Sequence, residues 1–189
     1  MSRLPAFNPD QLNKSQEKIY NDIISGPRGK FGGPFYALIQ APDIANETQV
    51  LGAALRFNTK LNATYREIAI LTAARHWRNE VEWNAHVVIG QNTGLTEACI
   101  SGILTENMPT TVCNNQQLVY KFCLELLDRK KVSNETYTHT EALIGIEQLV
   151  ELVSILGYFS SLAMLLNTFE IAADPKDGIP PQSLFLNSL

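Results

Sequence analysis

The sequence is poor in the features that mark redox, metal and membrane proteins. Its three cysteines, Cys99, Cys113 and Cys123, lie far apart and form neither a CxxC redox pair nor a zinc-ligand spacing. They read as small buried hydrophobes in a reducing compartment. No apolar stretch reaches the roughly 18–20 residues of a bilayer-spanning helix. The N-terminal "MSRLPAFNPDQLNKSQ" lacks the apolar centre of a signal peptide, so a cytoplasmic location without a membrane partner is expected. Charge of one sign is scarce too. The 15 Lys and Arg stand against 19 Asp and Glu, a net charge of -4 without long runs, which argues against nucleic acid as a partner. Sustained apolar/polar alternation, the mark of a half-buried strand, is missing as well.

What is present is helical periodicity. The 189 residues are enough for one core and short for two, so a single all-α domain over 1–189 is expected, with a proline-rich tail at 174–189. Asn8 and Pro9 predict the start of a first helix that carries Leu12, Ile19 and Ile23 on one stripe. "FYALIQAP" predicts a short helical piece and "DIANETQVLGAALRFNT" a longer one. Asn62 caps "ATYREIAILTAARHW", "NTG" closes the helix after it at Gly94, and Thr96 caps "LTEACISGIL". Two further helices follow in "TVCNNQQLVYKFCLELLDRKK" and "SNETYTHTEALIG", the latter capped by Ser133 or Asn134. The run from Ile146 to Ile171 is apolar nearly all round, which predicts a helix buried on every side or shared with another subunit.

The glycine-rich "GPRGKFGGP" carries Arg28 and Lys30. It matches neither phosphate-binding pattern, GxxxxGK[ST] or GxGxxG, and no strand precedes it. It reads as a connector or an active-site rim.

Chemistry concentrates in residues 62–94. Glu67 shares a stripe with Ala63, Ile70, Leu71 and Ala74, which puts a carboxylate on an apolar face; the bland alternative pairs it with Arg66 of another subunit or with Arg75. On the next helix Asn79, Glu82, Trp83, His86, Ile89 and Gly90 form one face. Glu82 and His86, at i,i+4, can meet side by side. Asn79 and Glu82 also fit a capping box, which explains them without chemistry. His86 has no capping duty. Two carboxylates and a histidine around one patch can shuttle a proton. His76 and His139 lack such companions and read as structural.

The stretch "YREIAILTAARHWRNEVEWNAHVVIGQNTGLTEACISGI" resembles the carboxymuconolactone decarboxylase family, which includes the alkylhydroperoxidase D-like proteins. "REIAIL", the "EWNAH" of Glu-Trp-x-x-His type and "GLTEACISGI" follow the family order. "FYALIQAPDIANETQVLGAALRF" and "LVELVSILGYFSSLAMLLNTF" extend the likeness over most of the chain. The resemblance implies an alkylhydroperoxidase D-like helical bundle around an antiparallel helical hairpin. It also implies a symmetric homo-oligomer, trimer or hexamer, with sites at or near subunit contacts.

In the alkylhydroperoxidase branch the site is a Glu, a CxxC, and a His four positions after the second cysteine. Projected here, the Glu falls on Glu67 and the His on His86, while the cysteine positions hold Asn79 and Glu82. Neither can form a disulfide, so thiol peroxidase chemistry is not expected unless distant cysteines substitute. The decarboxylase branch uses a Glu-x3-His pairing like Glu82 and His86 and implies no metal or organic cofactor. The expected activity is therefore a carboxy-lyase acting on a small carboxylated lactone or related organic acid. In it His86 is the general acid or base, Glu82 tunes His86, Glu67 is a relay and Trp83 walls the pocket. Arg56 and Arg66 are candidates for the substrate carboxylate, and Asn79, Tyr158 and Asn167 for the lining. A redox-defence protein without the usual cysteines and a non-enzymatic ligand-binding oligomer are the competing readings.

Overall fold

In a computed structural model, which describes residues 2–108 and 111–172, the chain is all-helical, with no strand among those residues. The elements are α1 (Lys14–Ser25), α2 (Phe35–Leu38), α3 (Pro42–Phe57), α4 (Ala63–His76), α5 (Glu80–Asn92), α6 (Glu97–Leu104), α7 (Asn114–Arg129) and α8 (Asn134–Thr168). The tail at 174–189 lies outside the described residues.

Helix α4 is the axis around which α5, α7 and α8 pack. Its residues Glu67 to Ala74 are consecutively buried, so over that stretch no face reaches water. The sequence expects the run from Ile146 to be buried on every side or shared with another subunit. That part of α8 leaves Ile146, Val150, Val153 and Met164 exposed on one stripe. Helix α8 is long and apolar enough to cross a membrane by length and composition, contrary to the expectation that no stretch qualifies. Slightly over half of its most apolar window is buried inside the protein, 56%, as in a core helix. Gly145, at φ 75° and ψ 165°, interrupts it, which is where the sequence separates two helices.

The first helix also starts later than expected. Asn8 caps only a 3-10 turn, Pro9–Gln11, and α1 begins after Asn13, whose side chain and that of Gln16 form a reciprocal capping box. Ile19 and Ile23 are buried as expected, whereas Leu12 is only half-buried. Phe7 stacks on Phe31 at 4.8 Å between ring centroids, and Tyr20 and Tyr36 close the cluster. That cluster fixes the glycine-rich loop, whose Gly29 and Gly33 take left-handed φ values of 69° and 57° that other residues adopt at a cost.

The α4–α5 hairpin is closed tightly. The Asn79 N–H donates to the Ala74 carbonyl at 2.8 Å and the Arg78 N–H to the Arg75 carbonyl at 3.0 Å. This is the Schellman pattern, with Arg78 at φ 50° where glycine is usual. The Asn79 side chain then accepts from the Glu82 N–H at 2.9 Å to cap α5. One residue ends one helix and starts the next, and Glu67 and His86 come to face each other at similar distances from the turn. At the far end of α5, Gly94 at φ 97° and the Leu95 N–H on the Gly90 carbonyl at 2.9 Å repeat the motif.

Candidate functional site

Glu67 is only 2% exposed and would be costly to ionise without partners. It has two. The His86 Nδ1 lies 2.7 Å from its Oε2, and the Arg66 Nε donates to its Oε1 at 3.2 Å. Burial pushes its pKa up, but the hydrogen bond and charge of His86 and those of Arg66 together outweigh burial and hold it below the usual range. An ionised carboxylate only accepts, so the Nδ1 carries the proton and, in the neutral ring, the Nε2 has a free lone pair. Phe159 meets the ring edge-on, 5.0 Å between centroids at 82°, and fixes its plane. Arg75 takes no part: it donates to the Leu104 carbonyl at 2.6 Å and pairs with Glu106. Gly90 brings α5 close to α4, because a β-carbon there would meet the Leu95 side chain at 3.0 Å and Glu67 at 3.7 Å.

The Nε2 edge is different. The nearest Glu82 oxygen is 3.6 Å away, too far for a hydrogen bond. The capping box expected between Asn79 and Glu82 forms only in half: Asn79 caps, but its N–H is committed to Ala74, so the Glu82 carboxylate does not turn back. Burial raises the Glu82 pKa, and the opposing charges of His86, Arg56 and Arg28 do not cancel it.

Glu82 and His86 line a cavity of about 480 Å³ with Arg56 of α3. The glycine-rich loop contributes Arg28, Lys30 and Phe31 to the same lining. Arg28 and Asn84, which also lines the cavity, each bury a nitrogen with no hydrogen-bond partner, Nε and Nδ2 respectively. The sequence reading named Arg28 only as part of its loop and did not single out Asn84 or Phe159. The adjacent glycines and aromatics in "GPRGKFGGPF" were the available signal for Arg28.

Other predicted site residues lie elsewhere. Trp83 is 3% exposed within the main core and does not wall the cavity. Arg66 sits behind Glu67 rather than at the lining. Asn79 donates to the Asn167 Oδ1 at 2.7 Å, and Asn167 donates to the Trp77 carbonyl at 2.7 Å, so these two asparagines tie α5 to the end of α8. Tyr158 is buried behind the cavity and donates to the Thr48 carbonyl at 3.2 Å. His76 pairs with Asp128 and His139 is exposed.

None of the three cysteines lines the cavity. Cys99 and Cys123 are buried, while Cys113 is exposed, contrary to its expected burial, because it is the residue before α7 and its side chain caps nothing. Burial pushes the Cys99 thiol up to about 11 and raises that of Cys123 further, away from reactive thiolates. Among the described residues no group of three or more His, Cys, Asp or Glu is placed to hold a metal ion.

The bundle has the alkylhydroperoxidase D-like helical fold. An uncharacterized peroxidase-related protein from Ralstonia eutropha JMP134 with an alkylhydroperoxidase AhpD core has a similar structure. The TM-score is 0.76, with 15% identity over 93% of each chain. A protein of unknown function from Agrobacterium tumefaciens, whose description points to AhpD antioxidant defence, gives a TM-score of 0.66. It is 12% identical over 72% of this chain and 94% of its own. No family model matches the chain, and no curated protein matches it in sequence.

Proposed function

We propose that the protein is a cofactor-free carboxy-lyase of the carboxymuconolactone decarboxylase type, acting on a small carboxylated lactone or a related organic acid. The observation that carries this reading is the pair of unlike carboxylates on one imidazole at a cation-lined cavity. Glu67, held ionised at the Nδ1, fixes the tautomer. Glu82, whose buried carboxyl favours the protonated form, is the proton donor on the cavity side. This reverses the roles expected from spacing, where Glu82 tunes His86 and Glu67 relays.

In the reaction, the bond between the substrate carbon and its departing carboxyl group breaks and carbon dioxide leaves. The electron pair passes into the conjugated lactone carbonyl to give an enolate. Glu82 delivers a proton to carbon; the His86 Nε2 then takes a proton from water and returns it to Glu82, and the hydroxide left is taken up by the released carbon dioxide as bicarbonate. No electron acceptor outside the substrate is needed. Arg56 supplies the cation for an anionic substrate. The exposed stripe of Ile146, Val150, Val153 and Met164 on α8 supports assembly as a homo-oligomer, a trimer or hexamer, since free apolar surface of this kind is usually covered.

Incubation of the purified protein with 4-carboxymuconolactone is the test. Wild type should release carbon dioxide, and His86→Ala should lower kcat by at least about 100-fold. A fully active His86→Ala protein refutes its role; an inert wild type refutes the lyase. The redox reading draws on the peroxidase-related description of one similar structure. It requires peroxide consumption that falls when all three cysteines become serine.

A further inference from the structure

Helix α5 carries apolar residues on two faces. Trp83 packs in the main core, as expected of a helix in a bundle. The outward stripe Val81, Ala85 and Val88, at i, i+4 and i+7, is apolar as well, although Ala85 and Val88 are exposed and Val81 is half-buried. A helix with one packed face normally turns polar residues to water at such positions. All three line the cavity that holds Glu82 and His86. The stripe therefore belongs to a concave site rather than to open surface.

That cavity, about 480 Å³, lies in the range that encloses a drug-sized ligand, about 300–1,000 Å³, and its two sides differ. One side is charged. Arg28 crosses α3 at Gly52, where a β-carbon would stand 2.3 Å from its Nη2, and lines the cavity with Arg56, Glu82 and His86. The other side is apolar. About a third of a turn round α5 from Glu82 and His86, Val81 and Val88 line the cavity together with Tyr36 and, from α8, Leu162. Round a helix of roughly 10 Å diameter the two sides are about 10 Å apart. The aromatic cluster holds Tyr36, whose ring lies 5.3 Å from that of Phe7 and 5.6 Å from that of Phe31, so this wall is preorganised. Asn84 lies three residues after Val81 and four before Val88, and it too lines the cavity. It is only 6% exposed, and its Nδ2 is buried without a hydrogen-bond partner, which native interiors rarely tolerate.

We propose that this cavity takes an amphipathic organic acid, with its carboxylated head at Glu82 and His86 and an apolar acyl or aryl arm laid across Val81 and Val88 to an oxygen acceptor at Asn84. The reaction of the head rests on the lyase reading, whereas the arm site stands on the cavity alone. A small lactone beside Glu82 and His86 leaves the apolar side uncovered. An arm covers it, removes apolar surface from water and gives the Asn84 amide its missing acceptor. A second copy of the chain has a separate apolar surface in the exposed stripe of α8.

Calorimetry on the full chain with butyrate, octanoate and 7-oxooctanoate tests the arm, because all three acids carry the same carboxylate and differ only beyond it. Octanoate has four more methylene groups than butyrate and should bind wild type at least about tenfold more tightly. Val88→Asn, at an exposed position, should cut that length preference at least about threefold, while Val150→Asn on the α8 stripe should leave it unchanged. Asn84→Leu should keep the length preference but weaken 7-oxooctanoate relative to octanoate at least about threefold. The arm site is overturned by equal affinities for butyrate and octanoate in wild type, or by a preference that survives Val88→Asn and is lost in Val150→Asn. It is overturned equally if sedimentation shows that Val88→Asn changes the subunit count while the preference stays. An unchanged ratio of 7-oxooctanoate to octanoate affinity in folded Asn84→Leu refutes the acceptor at Asn84. A length preference without carbon dioxide release from 4-carboxymuconolactone keeps the arm site and removes the lyase, and release without a preference does the reverse.

Discussion

The two edges of the His86 ring carry the same residue type in opposite settings. On the Nδ1 edge Glu67 is enclosed by α4 and α5 and bonded by both His86 and Arg66. On the Nε2 edge Glu82 is also buried, at 6% exposure, but the His86 Nε2 stands 3.6 Å from it, beyond hydrogen-bond distance, and Arg28 and Arg56 line the same cavity. Burial alone does not decide the state of a carboxylate; the donors within reach do. The enclosed edge is a structural joint that also orients the ring. The cavity edge holds a carboxyl group whose pKa burial raises.

The sharpest way to break this contrast is Glu67→Leu. It removes the acceptor shared by the His86 Nδ1 and the Arg66 Nε and leaves both donors facing an apolar side chain. Denaturant unfolding at neutral pH should show a loss of about 3–5 kcal/mol, the range for removing one partner of a buried pair. A loss under about 1 kcal/mol would mean that the joint contributes no more than a surface ion pair.

A smaller effect, opposite in sign for the two sites, comes from pH. Glu67 has a lowered pKa in the folded chain, so its stabilisation is fully present above the unfolded value of about 4.3 and is lost as pH falls through the folded value. The destabilisation caused by Glu67→Gln should therefore shrink as pH drops below about 4.3. Glu82 has a raised folded pKa, so the folded state holds the extra proton. Stability is then lost as pH climbs from about 4.3 through the folded value. Glu82→Gln should be increasingly favoured over wild type across that climb and level off above it. Parallel rather than opposed pH profiles for the two variants would remove the distinction between the edges.

Much of the hairpin was legible because its rules are local. The i,i+4 spacing of Glu82 and His86, the position of Glu67 on the other side of the turn and the caps at Asn62, Asn79, Thr96 and Ser133 depend on residues within a few positions of one another. The rest was decided by tertiary packing. Asn79 and Glu82 have the letters of a capping box, yet the Asn79 N–H is taken by the end of α4, which sequence spacing does not announce. Trp83 shares a helical face with His86 on a wheel, but a face wide enough to include both spans the cavity and the core. Arg28 was visible only as a loop residue, because its neighbour on α3 is a glycine, whose use appears only when the side chain that crosses it is known. All-round burial is found in α4, whose Thr72 hydroxyl donates to the Ile68 carbonyl at 2.6 Å, so a polar residue there signals no exposure, whereas α8 leaves one apolar stripe exposed.

The least disruptive test concerns the turn that brings the two edges together. Asn79→Ala removes the acceptor for the Glu82 N–H and the donor to Asn167, but leaves the backbone bond to Ala74 that closes α4. Loss of such a cap costs about 1 kcal/mol, and the bond to Asn167 adds little because the Asn167 amide keeps its contact with the Trp77 carbonyl. The melting temperature should fall by a few degrees, while the pH profiles of the two carboxylates keep their opposed slopes. If those slopes converge in Asn79→Ala, the cap does more than hold a helix end: it sets the rotation of α5 that keeps Glu82 off the His86 Nε2 and Glu67 on the Nδ1.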